Sequence, residues 1–177
     1  MRDLVEFRND IGFESERLRL VPIDIADLDK LFDWRCSPHV CAYSRTSSKP
    51  TRAEHEMWFK NYLDNPHSLR MMIVSKDTGR GIGIVACDVK NNEYELSYYL
   101  GDPDAQGKGY MLEALKAFVA SLHSNYFLTD LIAEVRTDNV ASVVLLDKLG
   151  GVVTKEYDAD EKTWLQYAIL LTDEEIR

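Results

Sequence analysis

The run Asp102-Pro103-Asp104-Ala105-Gln106-Gly107-Lys108-Gly109-Tyr110-Met111 decides how this chain is read. It lies between an alternating segment, Tyr94 to Leu100, expected to be a strand, and an apolar-striped segment, Met111 to His123, expected to be a helix. Strand, glycine turn and helix N-terminus together form an anion cradle. Glycines let backbone N–H groups approach phosphate oxygens, and the unsatisfied amides of the first helical turn favour negative charge. A phosphate-bearing ligand is the functional reading of this stretch; a plain surface turn is the competing one.

Upstream of it, Asn91-Asn92 makes a tight turn back to a strand from Ile82 to Val89, and Lys76-Asp77-Thr78-Gly79 turns that strand onto another from Arg70 to Ser75. Three antiparallel strands therefore lead into the glycine turn. Closer to the N-terminus, Leu18-Arg19-Leu20-Val21-Pro22 alternates as a strand. Asp24 caps a helix from Ile25 to Arg35 with Leu28, Leu31, Phe32 and Trp34 on its buried face. Ser37-Pro38 opens a short helical segment through Ala42, Arg45 to Pro50 is a polar loop, and Thr51-Arg52-Ala53-Glu54 has the form of a capping box for a helix to Leu63.

Downstream, Leu112, Leu115, Val119 and Leu122 form one helical stripe. Leu131 to Arg136 reads as a strand, and Asn139 caps a helix through Leu149 that Gly150-Gly151 halts. Val152 to Tyr157 and Thr163 to Leu171 close the chain as an antiparallel pair. This order predicts an α/β (mixed α+β) fold: a central, mixed, mostly antiparallel sheet of six to seven strands with helices on both faces. The 177 residues contain no repeat, low-complexity tract or long linker, so residues 1–177 read as a single domain.

Composition narrows the function. A net charge of -9 argues against a nucleic-acid surface, which needs clustered cations, although Lys108 stands where a local anion site would want one. No apolar run approaches the ~18 residues of a membrane span, and Met1 to Arg8 lacks the apolar centre of a secretion signal. Cys36, Cys41 and Cys87 have no Cys-x-x-Cys spacing and read as reduced thiols, so the cytoplasm is the expected compartment. The segment His55-Glu56-x-x-Phe59 lacks the second histidine of a zinc helix, and His39, His67 and His123 have no ligand spacing, so no metal is assigned.

Two stretches resemble the GNAT superfamily of acyl-CoA-dependent N-acyltransferases, and the element order resembles it from Leu18 to Leu171. Gln106-Gly107-Lys108-Gly109-Tyr110-Met111 is similar to the family's Gln/Arg-x-x-Gly-x-Gly/Ala pyrophosphate loop, with Met111 in place of the final small residue. Asp138-Asn139-Val140-Ala141-Ser142, leading to Leu146-Asp147-Lys148-Leu149-Gly150, resembles the family's Asn-x-x-Ser segment and its Glu-Lys-Leu-Gly-Phe-like end, with Gly151 in place of the aromatic. The resemblance implies acetyl-CoA as the acetyl donor, gripped by Gln106, Gly107, Lys108, Gly109, Tyr110 and Met111. It also implies that Asn139 and Ser142 lie along the pantetheine arm, with a main-chain contact at Leu100. Leu146 falls where many members carry a tyrosine that protonates the departing thiolate, so that role does not carry over.

Acetyl transfer to an amine needs a proton acceptor, because a free alkyl amine has a pKa near ~10.4. Glu95 resembles the general base or water-positioning acid of several family members; its competing reading is an ion-paired sheet residue. Glu95, Ser97 and Tyr99 share one strand face. Tyr98, Tyr99 and Tyr126 are candidate acids, Tyr99 being the one assigned, and direct release of a thiolate with pKa near ~8.5 is the alternative. Trp34, Arg35, Tyr43, His55 and Trp58 are the candidate acceptor-binding residues, with Arg35 or Arg45 facing an anionic group; for the tryptophans a packing role competes, and for His55 a partly exposed position on its helix.

Trp34-Arg35-Cys36-Ser37-Pro38, Glu54-His55-Glu56-Met57-Trp58-Phe59 and Asn65-Pro66-His67-Ser68-Leu69-Arg70 resemble the amino-sugar branch, acting on nucleotide-linked amino sugars, with Cys36 in place of the asparagine of its Trp-Arg-Asn pattern; the opening Glu16-Arg17-Leu18-Arg19-Leu20 and the Glu95-containing strand resemble the ribosomal-protein N-terminal acetyltransferases. A small-molecule or peptide amine is thus the expected partner. Polyamines are a third acceptor class, and a non-catalytic acyl-CoA-binding or interaction domain of the same fold is the non-enzymatic alternative. Neither nucleic acid nor membrane is an expected partner, and the resemblance is compatible with a homodimer.

Overall fold

The computed structural model describes residues 4, 13–46 and 48–172. The stretch read for a leader, Met1 to Arg8, lies outside the described residues except for Leu4, as does Ser47 of the polar loop. In chain order the elements are β1 (Phe13–Glu14), β2 (Leu18–Pro22), α1 (Leu28–Cys36), α2 (Pro38–Cys41), α3 (Arg52–Asp64), β3 (Ser68–Ser75), β4 (Gly81–Lys90), β5 (Glu93–Leu100), α4 (Tyr110–Tyr126), β6 (Asp130–Arg136), α5 (Val140–Lys148), β7 (Val152–Ala159) and β8 (Lys162–Leu170).

Among the described residues the strands form one mixed sheet in the order β1-β2-β3-β4-β5-β6-β8-β7, with only β5 and β6 parallel. The count reaches eight, one above the upper expectation, because Phe13 and Glu14 pair with Leu20 and Arg19. Two residues carry no readable alternation, so this edge strand is made by its partner rather than by its own pattern.

Local chemistry sets the element ends. Thr51 accepts from the Glu54 N–H while the Glu54 carboxylate accepts from the Thr51 N–H, a reciprocal cap that starts α3. Asp24 and Asp27 form the same box, but around a turn of 3-10 helix, Ile25–Asp27, so α1 proper begins three residues later than its pattern suggests. Asn91 and Asn92 both take positive φ, 50° and 69°, the conformation that a two-residue hairpin turn between right-twisted strands requires.

Helices cover the sheet on both faces. On one, Leu96, Leu131, Val135 and Tyr167 pack against Leu115, Phe118 and Leu122 of α4 and Leu146 of α5. On the other, Met72, Ile84 and Ala86 pack against Leu31 of α1 and Phe59 and Tyr62 of α3. β5 divides its side chains between the two, Leu96 and Tyr98 facing the first layer and Tyr99 the second. Among the described residues no helix is long and apolar enough to cross a membrane.

Candidate active site

Between β5 and α4 the chain makes a 3-10 turn, Pro103–Ala105, and then the glycine turn. Gly107 and Gly109 take φ of 71° and 77°, and Gly109 is the N-cap of α4. A Cβ at Gly107 would meet nothing within 4 Å, so this backbone faces open space. Gln106, Gly107, Lys108 and Gly109 are all exposed. An open backbone turn, a 17-residue helix start and an exposed lysine fit a diphosphate. Met111, which departs from the small residue of the resembled motif, is the second residue of α4 and is buried in the core.

Beside this turn the sheet is split. β5 pairs with β4 from Glu93 to Leu100, but with β6 through one rung, Glu95 with Ile132. Past it, no rung joins Leu96–Leu100 to β6 among the described residues. Main-chain groups that β4 does not use point into that gap. The Leu100 carbonyl accepts from His39 Nε2 at 3.2 Å, which places the imidazole proton on that nitrogen. Tyr98 reaches toward α5, its hydroxyl donating to the Ser142 carbonyl at 3.3 Å. Asn139 caps α5 through Oδ1, which accepts from the Ser142 N–H at 3.3 Å, so its amide nitrogen is not used by the cap.

Three carboxylates on the α1–α3 face of the sheet are each matched with a cation. Glu95 Oε2 lies 2.6 Å from Lys90 Nζ, and its side chain is 16% exposed. Asp88, directly opposite on β4, pairs with Arg70 at 2.7 Å and accepts from Ser68. Glu134 of β6 pairs with Arg45 and accepts from the Tyr157 hydroxyl at 2.7 Å. Tyr99 lies on this face with its ring edge against Trp34, and burial pushes its phenol well above the ordinary tyrosine range.

The chain matches the family described as "Acetyltransferase (GNAT) domain" over residues 17–152. It belongs to the GNAT acetyltransferases. No curated protein matches it by sequence. Solved structures share the fold at low identity. A GNAT-family acetyltransferase from Bacillus anthracis aligns with a TM-score of 0.78 at 17% identity, over 90% of this chain and 98% of that one. Spermidine N-acetyltransferase from Vibrio cholerae, in complex with CoA and spermine, aligns at 0.78 and 16%, over 89% and 97%. Ribosomal-protein-S5-alanine acetyltransferase from Vibrio fischeri aligns at 0.75 and 19%, over 93% and 98%.

Within this GNAT chain, the turn from Gln106 to Met111 follows closely on the Leu100 end of β5, and Tyr98 of the same strand links to Ser142, one turn from Asn139 at the start of α5. The acceptor candidates are dispersed. Trp34 packs on Gly101 and Tyr99. Arg35 holds the loop before α3, its Nη2 donating to the Thr46 carbonyl at 2.6 Å and the Thr46 hydroxyl at 2.9 Å. Tyr43 is exposed beneath the Arg136 guanidinium. His55 is 4% exposed, bonded through Nε2 to the Leu28 carbonyl at 3.2 Å and stacked on Trp58; burial lowers its pKa. It ties α3 to α1, and Trp58 lies over Arg70.

Three residues around the site were not singled out from the sequence. His39 has no spacing signal and reaches Leu100 only because α2 folds back on β5. Arg70 and Asp88 meet across β3 and β4, a pairing that needs the strand register.

Proposed function

We propose that residues 1–177 act as one acetyl-CoA-dependent N-acetyltransferase domain that moves an acetyl group to a primary amine by direct attack in a ternary complex. The observation that carries this reading is the adjacency of the open glycine turn to the unpaired edge of β5, with Glu95 at the rung where that edge begins. An extended pantetheine arm suits a strand edge with free main-chain groups, as in peptide recognition by strand addition. Gln106 to Met111 would hold the diphosphate, and Leu100, Asn139 and Ser142 the arm.

Glu95 would take a proton from the acceptor's ammonium, directly or through a water, freeing the neutral amine that attacks the thioester carbonyl. Main-chain N–H groups of β5 facing the gap would stabilise the oxyanion. Tyr99 would donate a hydrogen bond on the thiolate side. Full proton transfer from so strongly raised a phenol to a thiolate near ~8.5 is uphill, so departure as thiolate carries that step. The free cysteines suit a reducing compartment, and the cytoplasm is the proposed place of action.

For the acceptor, Trp34, Arg35, Tyr43, His55 and Trp58 are the proposed binding residues; spread over α1, α3 and the segment between them, they would act separately, His55 through its packing. Arg35 Nη1 is buried without a hydrogen-bond partner among the described residues. A buried guanidinium N–H without a partner favours an acceptor that brings an anion, such as a nucleotide-linked amino sugar, over a polycation. A protein N-terminus is the second acceptor in this reading; polyamines, the substrate named for the Vibrio cholerae neighbour, are the third. Thiol release from acetyl-CoA across these three acceptor classes tests the proposal. Donor binding without turnover on any of them would favour a non-catalytic acyl-CoA-binding domain.

A further inference from the structure

Glu113 poses a puzzle. It is a carboxylate in the first turn of α4, beside a turn suited to phosphate, and an unmatched negative charge there would repel the ligand. The structure matches it completely. Glu113 Oε1 accepts from the Ser15 hydroxyl at 2.7 Å and from the Arg17 N–H at 2.7 Å, and Oε2 lies 2.6 Å from Arg17 Nε. Burial alone would raise this carboxyl, but these hydrogen bonds and the guanidinium charge hold it below the ordinary range.

The same guanidinium then continues to the glycine turn. Arg17 Nη1 donates to the Lys108 carbonyl at 3.0 Å, and the group lies over the Tyr110 ring at 4.6 Å. Its second terminal nitrogen, Nη2, is 3.5 Å from where a Cβ of Gly109 would be. One side chain from the β1–β2 hairpin thus contacts Lys108 of the turn and Tyr110 at the start of α4, and passes beside Gly109 between them.

We propose that Arg17 is a positioning residue for the donor's diphosphate, resting on the acetyl-CoA reading above. Glu113 aims the guanidinium, Nη1 holds the Lys108 peptide so that the neighbouring N–H groups face the ligand, and Nη2 leaves a cationic edge beside Gly109. Glu113 is there to orient Arg17, and Arg17 in turn cancels the charge that Glu113 would present to a phosphate.

Calorimetry with CoA and steady-state kinetics on Arg17→Met, Arg17→Lys, Glu113→Gln and the Arg17→Met/Glu113→Gln double variant test this. Arg17→Met is expected to weaken CoA binding roughly ten- to a hundredfold, with KM for acetyl-CoA rising in parallel and KM for the amine unchanged. The double variant is expected to bind CoA more tightly than Arg17→Met, because the bare carboxylate is gone. Arg17→Lys keeps a cation without the fork and is expected to fall between; it keeps the proposal open to test if Arg17→Met does not fold. Wild-type CoA affinity in a folded Arg17→Met or Arg17→Lys, or no gain in the double variant, would overturn the role of Arg17 alone. Failure of the unmodified protein to bind CoA would instead overturn the donor reading beneath it.

Discussion

Among the described residues Glu95 and Ile132 form the one rung between β5 and β6, so the candidate base stands at the point where the sheet divides. The rung is made by main-chain atoms, while the Glu95 side chain, paired with Lys90 at 2.6 Å, takes no part in joining the strands. Glu95→Gln should therefore leave the sheet intact. Its turnover is expected to fall about a hundredfold or more near neutral pH, with the defect shrinking at high pH where free amine is abundant. A kcat/KM profile against pH that superimposes on wild type would remove Glu95 from the reaction.

At Gly109, backbone and ligand requirements coincide. With φ of 77° any other residue is strained by about 1–2 kcal/mol, but an alanine Cβ would meet only Arg17 Nη2 at van der Waals distance. Gly109→Ala is therefore expected to weaken CoA binding modestly, and Gly109→Glu to abolish it through bulk and charge. Isothermal titration on the folded variants checks the contrast; equal affinities for both would argue that the turn does not touch the diphosphate.

Much of this was legible where the chemistry is local. The caps at Thr51 and Asn139, the Asn91-Asn92 turn and the two faces of β5 depend on neighbours within four residues, and the structure has them all. The Arg17–Glu113 contact joins residues 96 positions apart, and neither residue type announces the other. His55 reads as a partly exposed helix residue, yet it is buried because α1 packs over it, which its own helix pattern does not encode. Ion pairing of Asp88 with Arg70 likewise needs two strands in register before it exists.

Gly101 ends β5 beneath the Trp34 indole, and a Cβ there would fall inside the ring system. Gly101→Ala must push Trp34 outward and with it the edge contact to Tyr99. A loss of about 1–3 kcal/mol in stability is expected. Because the displaced ring lies on the α1–α3 face, KM for the amine should rise while CoA affinity holds. Urea denaturation together with separate donor and acceptor titrations checks both; an unchanged unfolding midpoint would mean that the indole relocates without cost.

Alkaline pH should unfold the protein early. Burial pushes Tyr98 up to about 12, and burial with the Asp147 carboxylate pushes Tyr167 up to about 12. In the unfolded chain both titrate near ~10. The native state holds these protons more tightly, so the stabilisation is full below about pH 10 and is lost as pH rises toward 12. Tyr98→Phe, which also loses the bond to the Ser142 carbonyl, should start about 1 kcal/mol lower at neutral pH but decline less steeply. Denaturant midpoints measured from about pH 8 to about pH 11 check this, and parallel slopes for the two proteins would count against it.

With one rung between them, β1 to β5 and β6 to β7 behave as two panels of a folding screen. What fixes their angle is the shared layer beneath: Leu96 from one panel, Leu131 and Tyr167 from the other, and Phe118 of α4 wedged among them. Side chains away from the candidate site would therefore set the width of the opening proposed to admit the donor. Trimming that layer would change the width of the opening as well as the strength of the fold.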